Sequence, residues 1–351
     1  MSKVFRVGTI GVGYTCNVHA PGWKESPHAE LAALADLNEE ALNRVADRLE
    51  VKTRYTTARE LIEDPEIDVV DICTPNMTHA PLAVAAFKAG KHVLCEKPLA
   101  PTPAEIRRMI KARDAAGKLL MTAQHMRYLG TARAMKAEIE RGVLGRIYHA
   151  RAWILRRCGV PLGPGFIRRE LSGGGACIDI GVHILDLTLW LMGFPRPVTV
   201  SGFSRNELSK RPNAFSWGRQ PIPESMDVED FAGGFVRFEG GQTLMIEISW
   251  LLHHDTPGEV QRVWLYGTEG GAEWPANKLI ADDLPTRQLI DRQLILHDGG
   301  APHALECIDF ARALAQGLPS PVPAEESLYV QAILDGIYRS AEQGREVKVN
   351  L

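Results

Sequence analysis

Two short motifs contain the residue types that acid–base chemistry requires. Glu96-Lys97-Pro98 follows a predicted apolar strand, and the stretch 173–183 contains Asp179 and His183. A lysine at the carboxyl end of a strand in an open α/β sheet points into the crevice where such sheets bind ligands. The proline ends the strand and fixes the backbone after the lysine. Together the motifs predict an enzyme that brings a lysine, an aspartate and a histidine to one substrate.

The second motif begins a predicted helix, 177–192, with apolar residues on all sides, which is typical of a buried helix. Asp179, His183 and Asp186 are four and three residues apart, so we expect them on one side of it. Because buried charges are costly unless they are paired or used, this side predicts a catalytic site. A structural Asp179–His183 pair is the alternative. The glycines at 173–175 favour catalysis, since they leave a ligand room beside the backbone.

The chemistry that needs such a set is hydride transfer between a secondary alcohol and a nicotinamide. One group must take the hydroxyl proton, and the imidazole of His183, with an ordinary pKa of about 6.5, suits that role. Lys97 would then stabilise the developing alkoxide, or would itself be the base if its pKa is lowered. Asp179 would bind a neighbouring hydroxyl or orient the imidazole. The sequence leaves these assignments open.

A glycine turn in the first predicted βα unit indicates a dinucleotide site. Gly11-Val12-Gly13 follows the first strand, although Cys16 occupies the third glycine position of the fingerprint. Asp36 ends the second strand, where a carboxylate can accept hydrogen bonds from both ribose hydroxyls; a helix cap or turn residue is the alternative. Asp36 would repel a 2′-phosphate, and Leu37-Asn38 offers no cation, so we predict NAD rather than NADP. Cys16 predicts slightly wider helix–sheet packing and not a lost site.

A further turn, Thr74-Pro75-Asn76, also lies at a predicted carboxyl edge. Its proline removes a backbone donor, and Asn76 can bind a ribose or nicotinamide group. An ordinary connection between a strand and a helix is the alternative. His79, on the following helix, either faces the cofactor or lies on the surface.

The predicted elements that position these residues fall into two domains. Residues 1–125 alternate strand and helix, which predicts a parallel, doubly wound sheet. Residues 126–351 contain several strand-like segments in succession, with a Gly240-Gly241 hairpin signal, which predicts a large mixed or antiparallel sheet. Two helices close the chain, at about 303–316 and 325–343, and they are free to pack back on the first domain.

Composition limits the function classes. The 351 residues suffice for two domains, and a formal net charge of −3 gives no electrostatic case for nucleic acid or an anionic membrane. No apolar run is long enough to span a bilayer, and the N-terminus enters a strand without a signal peptide. The six cysteines include no CxxC pair, so we expect reduced, mostly buried thiols in a cytoplasmic protein and no metal site.

These motifs, with Gly173-Gly174-Gly175 leading to Asp179-Ile180-Gly181-Val182-His183, resemble the Gfo/Idh/MocA oxidoreductases over nearly the full chain. The resemblance implies an N-terminal Rossmann domain and a C-terminal α/β domain whose open, mostly antiparallel sheet often forms the oligomer interface. It implies sugar or cyclitol substrates and a catalytic group of Lys97, Asp179 and His183. The cofactor-binding residues then expected are Gly11, Gly13, Tyr14, Asp36, Thr74, Pro75, Asn76, His79, Glu96, Lys97 and Gln124.

The expected substrate-binding residues are Arg127, Trp153, Arg156, Asp179 and His183. Arg127 matches a position that closes over cofactor or substrate. The segment of Trp153, Arg156 and Arg157 is similar to a branch that acts on glucosides, in which Trp153 would stack on an apolar sugar face. A packed tryptophan with surface arginines is the alternative.

Three function classes follow from the resemblance. The main prediction is an NAD-dependent dehydrogenase of a sugar, glycoside or cyclitol hydroxyl, in a homodimer or homotetramer. The alternatives are NAD-assisted glycoside cleavage and a non-catalytic NAD-binding sugar sensor. The intact set of Lys97, Asp179 and His183 argues against the sensor.

Overall fold

The computed structural model describes residues 3–296 and 299–351. The chain divides into two compact units. Unit 1 comprises residues 1–128 and 300–328, and unit 2 comprises residues 129–299 and 329–351. The predicted domains had a single boundary at residue 125, whereas a late segment of the chain also belongs to unit 1.

Unit 1 is built on a six-stranded parallel sheet in the order β3-β2-β1-β4-β5-β6, which is the doubly wound arrangement that binds dinucleotides. Its strands are short and apolar because both faces of the sheet are buried. The elements are β1 (Phe5–Ile10), α1 (Tyr14–Glu25), β2 (Ala29–Ala35), α2 (Glu39–Arg48), β3 (Thr53–Tyr55), α3 (Ala58–Glu63), β4 (Val69–Ile72), α4 (His79–Lys88), β5 (His92–Cys95), α5 (Pro103–Ala116) and β6 (Leu120–Thr122).

The late segment of unit 1 contributes a helix to its core. Elements after β6 are numbered in chain order, so this helix, Pro302–Gln316, is α10. A Cβ added to Gly22 of α1 would lie 2.2 Å from the carbonyl oxygen of Ala304, so the two helix backbones are in direct contact. Cys307 and Phe310 of α10 are buried in the same apolar cluster as β1. Glycine at position 22 is therefore required by the close approach of α10.

Unit 2 contains a nine-stranded sheet in the order β14-β13-β12-β11-β7-β10-β9-β8-β15. Only β7 and β10 pair in parallel, and Gly241 (φ +81°) turns the predicted hairpin between β9 and β10. The elements are α6 (Gly130–Glu140), β7 (Ile147–Arg156), α7 (Pro164–Ile167), α8 (Arg169–Ser172), a π-helical segment (Cys177–Gly181), α9 (Val182–Leu191), β8 (Pro197–Arg205), β9 (Phe231–Phe238), β10 (Thr243–Ser249), β11 (Glu259–Gly267), β12 (Gly271–Trp274), β13 (Lys278–Asp283), β14 (Gln288–Gln293), α11 (Ala324–Gln343, from Tyr329 onward) and β15 (Val347–Lys348).

The two faces of this sheet differ. Ile248 of β10 lies against Gly181, and its partner Ile154 of β7 is also buried, so these alternate positions form the face that packs on the helix. Side chains at the intervening positions point to the opposite side. We call this side the outer face; it includes Trp153, Met245, Trp264, Tyr266 and Ile280.

None of the single helices described, in either unit, combines the length and apolar composition of a membrane span. One helix pair, Arg169–Asp179 with Gly181–Leu191, passes that test jointly but is bent by 47°.

Candidate active site

The two glycines of the turn in unit 1 have different surroundings. Gly11 is crowded by the backbone, whereas Gly13 faces open space. Gly11 has φ +93°, and a Cβ there would lie 2.6 Å from the carbonyl oxygen of Cys73. A Cβ on Gly13 would meet no described atom within 4 Å. Gly11 is thus required by the backbone, whereas the space beside Gly13 is open for a ligand.

Helix α1 begins at this open space with Gly13 as its N-cap. No described side chain caps it, so its first backbone N–H groups can bind an anion such as a pyrophosphate. Cys16, in the first turn, is buried, and burial raises the pKa of its thiol to about 12. The thiol is therefore a neutral packing group of the core, and the wider helix–sheet packing expected from it stays a prediction.

Asp36 braces the glycine turn. One carboxylate oxygen accepts the N–H of Val12 at 2.8 Å, and the other accepts the N–H of Asn38 at 2.8 Å. The cap of α2 is Asn38, whose side chain accepts from Ala41, so Asp36 is not a helix cap. Each carboxylate oxygen keeps a lone pair for a ribose hydroxyl.

His79 connects two of the predicted cofactor turns. It is fully buried, which excludes the surface alternative. Nδ1 lies 2.9 Å from the carbonyl oxygen of Pro98, and Nε2 lies 2.8 Å from that of Thr74. Burial lowers its pKa. The ring thus fixes the Glu96-Lys97-Pro98 turn relative to the Thr74-Pro75-Asn76 turn, and its predicted contact with cofactor stays a prediction.

Glu96 and Gln124 lie at the ends of neighbouring strands. Burial alone would raise the pKa of Glu96, but its contact with His19 lowers it to about 2. Its Oε2 accepts the backbone N–H of Lys97 at 2.9 Å. Gln124 is 1% exposed, and its Oε1 has no hydrogen-bond partner among the described residues. An unsatisfied buried acceptor fits a cofactor that supplies a hydroxyl or amide donor.

Arg127 has a structural partner within unit 1. Its guanidinium is 4% exposed and lies 2.5 Å from the carboxylate of Glu326. A guanidinium this deeply buried is costly to the fold unless a carboxylate accompanies it. The geometry therefore gives Arg127 a role in the packing of α11, and its predicted substrate contact stays a prediction.

Two side chains of the π-helical segment and the first turns of α9 are only partly buried. Within residues 174–189, every residue except Asp179 and His183 is buried. Asp186, which we expected on the same side, is fully buried. The π-helical turn around Asp179 is of a kind frequent at functional sites. A helix otherwise committed to the core thus presents the two residues that the chemistry requires.

Trp250 is a site residue that the sequence analysis missed. Its indole Nε1 donates to Oδ2 of Asp179 at 3.3 Å, and the side chain is fully buried. It directly follows β10 and continues the series of positions that face the helix, as Ile248 does. This two-residue spacing from Ile248 is the sequence feature that could have identified it. The indole thus fixes the position of one carboxylate oxygen of Asp179.

The glycine run before the helix has a different role from the one predicted. A Cβ on Gly174 would lie 2.2 Å from the hydroxyl oxygen of Tyr338, and one on Gly175 would lie 2.1 Å from the carbonyl oxygen of Glu229. The carboxylate of Glu229 accepts the N–H groups of Gly175 (3.0 Å) and Cys177 (2.9 Å) and the hydroxyl of Tyr338 (2.8 Å). Protein atoms therefore fill the space that we expected a ligand to use.

The structure does not bring Trp153 to Asp179 and His183. Trp153 lies on the outer face, opposite α9, in edge contact with Trp264 (ring centroids 4.4 Å apart) and beneath the guanidinium of Arg151. The reason is strand parity, because Ile154 occupies the inward position next to it. This is the packed alternative, and sugar stacking by Trp153 has no support from the face on which it lies.

Arg156 is held by protein groups. Its Nε lies 2.6 Å from the carboxylate of Glu259, Nη1 donates to the carbonyl oxygen of Gly159 at 3.1 Å, and the guanidinium covers the ring of Trp217. This set of contacts fixes the loop after β7. A direct role in substrate binding stays a prediction.

The open space beside Gly13 gives a first test. We expect Gly13→Ala to keep the melting temperature of the wild type, because its methyl group meets no protein atom. NAD should bind about 1–3 kcal/mol more weakly, which is roughly 5- to 150-fold in Kd, because the methyl group occupies pyrophosphate space. Scanning calorimetry measures the melting temperature, and titration calorimetry measures the Kd for NAD. Gly11→Ala is the contrast and should lose stability as well; unchanged NAD affinity in Gly13→Ala would contradict this placement.

The glycine run gives a second test. We expect Gly175→Ala to lower the free energy of unfolding in urea by about 1–3 kcal/mol, since the methyl group overlaps the backbone of Glu229. Gly165→Ala, whose methyl group meets no described atom within 4 Å, is the matched control. If Gly175→Ala keeps full stability and only raises KM for substrate, the glycine serves the ligand and the packing explanation is wrong.

Comparisons with known proteins match both units. A family model described as an oxidoreductase family with an NAD-binding Rossmann fold matches residues 5–124, and a GFO/IDH/MocA C-terminal domain matches residues 132–273. D-glucoside 3-dehydrogenase of Escherichia coli (strain K12) is 31% identical over 99% of this chain and 98% of its own. Myo-inositol 2-dehydrogenase of Thermotoga maritima is 28% identical over 98% of both chains.

A solved structure of levoglucosan dehydrogenase with NADH and levoglucosan is similar over 99% of this chain and 100% of its own, with a TM-score of 0.85 and 26% identity. An oxidoreductase domain protein from Kribbella flavida gives a TM-score of 0.88 over 100% of both chains, also at 26% identity. These matches, with the glycine turn, the Glu96-Lys97-Pro98 turn and the Asp179/His183 helix in place, show that the chain belongs to the Gfo/Idh/MocA family of NAD-binding oxidoreductases.

Proposed function

We propose that this oxidoreductase transfers a hydride between NAD and a secondary hydroxyl carbon of a sugar, glycoside or cyclitol. The observation that carries the proposal is the helical stretch 174–189 of unit 2, in which Asp179 and His183 are the two residues that are not buried completely. Relatives of high coverage are named for a glucoside and for myo-inositol, and a structural relative was solved with NADH and levoglucosan. These names support a cyclic polyhydroxylated substrate.

His183, Lys97 and Asp179 have different roles in the proposed reaction. When bound, NAD would supply the nicotinamide ring that accepts the hydride. His183 takes the hydroxyl proton of the substrate. Lys97 places its ammonium beside the developing alkoxide. Asp179, with one oxygen held by Trp250, accepts a neighbouring substrate hydroxyl. In the reducing direction His183 returns the proton.

We expect Lys97→Ala and His183→Ala each to lower kcat by about 10²- to 10⁴-fold, the usual contribution of acid–base and electrostatic groups. Lys111→Ala is the control, because that lysine is exposed on α5 and should leave kcat/KM unchanged. Steady-state NADH formation measures these values, with circular dichroism as the check on folding. Turnover near that of the wild type in either alanine variant would refute the assigned roles.

A screen of sugars, glycosides and inositols with NAD tests the substrate class. We expect net NADH formation with at least one of them, and a larger kcat/KM with NAD than with NADP, because Asp36 repels a 2′-phosphate. Glycoside cleavage with tightly retained cofactor and no net NADH would support the hydrolytic alternative. Sugar binding without either reaction would support the sensor.

We further propose a cytoplasmic homodimer or homotetramer that associates through the outer face. On this face, Tyr266 is 38% exposed and Met245 is 46% exposed. Large apolar side chains that are exposed side by side are typical of surfaces that bind another protein. None of the six cysteines forms a disulfide, and four are buried, in keeping with a reducing compartment. Light scattering of the wild type and of Met245→Glu tests the association.

A further inference from the structure

A cluster of buried ionisable side chains lies behind Glu96 in unit 1. His19 of α1 is at its centre, and the carboxylates of Asp71 from β4 and Glu306 from α10 lie on either side of it. All three side chains are fully buried. Charges in such a place are retained only when each has a partner.

Asp71 fixes the orientation of the imidazole. Its carboxylate accepts the hydroxyl of Thr9 (3.2 Å), the indole N–H of Trp23 (2.8 Å) and Nδ1 of His19 (3.1 Å). The thiol of Cys73 lies on the same carboxylate, with Sγ 3.5 Å from Oδ1. Because a carboxylate only accepts, Nδ1 of His19 carries a hydrogen.

The other ring nitrogen faces two more carboxylates. Nε2 of His19 lies 3.3 Å from Oε1 of Glu96 and 3.4 Å from Oε1 of Glu306. A neutral ring with its hydrogen on Nδ1 would direct a lone pair at both oxygens, which is repulsive. A second proton on Nε2 turns the repulsion into a shared, charge-assisted contact. Burial by itself would lower the pKa of His19, whereas the charge and the hydrogen bond of Asp71 raise it.

The remaining groups around the ring are thiols, two further histidines and Lys97. Burial raises the pKa of Cys16 and Cys307 to about 12, so both thiols are neutral. Burial and His303 lower the pKa of His125 to about 3. His303 contacts the far side, with Nδ1 3.2 Å from Oε1 of Glu306. The other groups that face the cluster are Cys73, whose pKa burial raises, and Lys97.

We propose that His19 is a positioning residue for the hydride transfer: as an imidazolium anchored on Asp71, it holds Glu96, whose second oxygen binds the backbone N–H of Lys97. The ring thereby sets where the lysine leaves the strand. This inference rests on the proposed function for its effect on turnover, but the protonation state of the ring can be measured without substrate.

The first experiment is nitrogen-15 NMR of the histidine rings in the wild type. We expect both ring nitrogens of His19 to carry hydrogens at neutral pH, assigned by the loss of their signals in His19→Gln. Because the pKa is raised, the charge is complete below the usual histidine pKa and is lost only as pH rises through the raised value. A neutral His19 ring at neutral pH would refute the proposal, whatever the substrate is.

The second experiment compares His19→Gln with His92→Gln. His92 begins the strand that Glu96 follows, and its Nδ1 accepts the N–H of Leu119 at 3.0 Å, so it is a matched structural histidine away from the lysine turn. In His19→Gln we expect kcat to fall about 10- to 100-fold, as when a catalytic group is misplaced by about 1 Å, with KM for NAD within about 3-fold and a larger deuterium isotope effect. In His92→Gln we expect lower thermal stability and unchanged kcat.

Several outcomes would overturn the inference. Equal kcat in His19→Gln and the wild type would show that the ring is only structural, while the proposed function would stand if the wild type forms NADH. If His19→Gln does not fold, Glu306→Gln replaces it and should lower kcat in the same direction; an unchanged kcat would refute the role. The ligand atoms of His19, Glu96, His303 and Glu306 lie within 4.8 Å of one another, so stoichiometric zinc or manganese in the purified protein would also refute it.

Discussion

The burial of carboxylates is the constraint on which the functional parts of both units depend. In unit 1, Asp71 is fully buried and accepts hydrogen bonds from three side chains. In unit 2, Glu229 is buried although burial raises its pKa, and it accepts two backbone N–H groups and a tyrosine hydroxyl. Each anion needs donors from several elements at once, so each fixes the relative positions of those elements. The helical stretch that contains Asp179 and His183 is anchored by Glu229 through the N–H groups of Gly175 and Cys177.

Much of the fold and the motif positions could be predicted from local sequence. Alternation of short apolar strands with helices predicts the parallel sheet, because both faces of such a sheet are covered. The Glu96-Lys97-Pro98 turn and the pair Asp179 and His183 stand where the motifs indicate. Strands β12 to β14 were missed: β14 (Gln288–Gln293) is exposed at every residue and therefore shows no alternation of apolar and polar side chains.

The predictions that were wrong share one physical cause. A local sequence pattern contains no information about which residues from a distant part of the chain will pack against it. The alternation of side chains around Trp153 predicts a strand, but it does not show which face of the strand a helix covers. Ile154 lies on the covered face, so Trp153 lies on the opposite one. The glycine run indicated free space, but Tyr338, far along the chain, fills it. Likewise His19 and Glu306 are separated by most of the sequence, and their contact has no local signal.

The position of α10 has a consequence for how the protein is made. Its residues Cys307 and Phe310 belong to the same apolar cluster as the first strand, and Glu306 contacts His19. During synthesis unit 1 therefore cannot complete this part of its core until α10 has emerged from the ribosome, which is after all of β7 to β14. The amino-terminal half is open to chaperones and proteases for that interval, and its first chance to become native comes only near the end of translation.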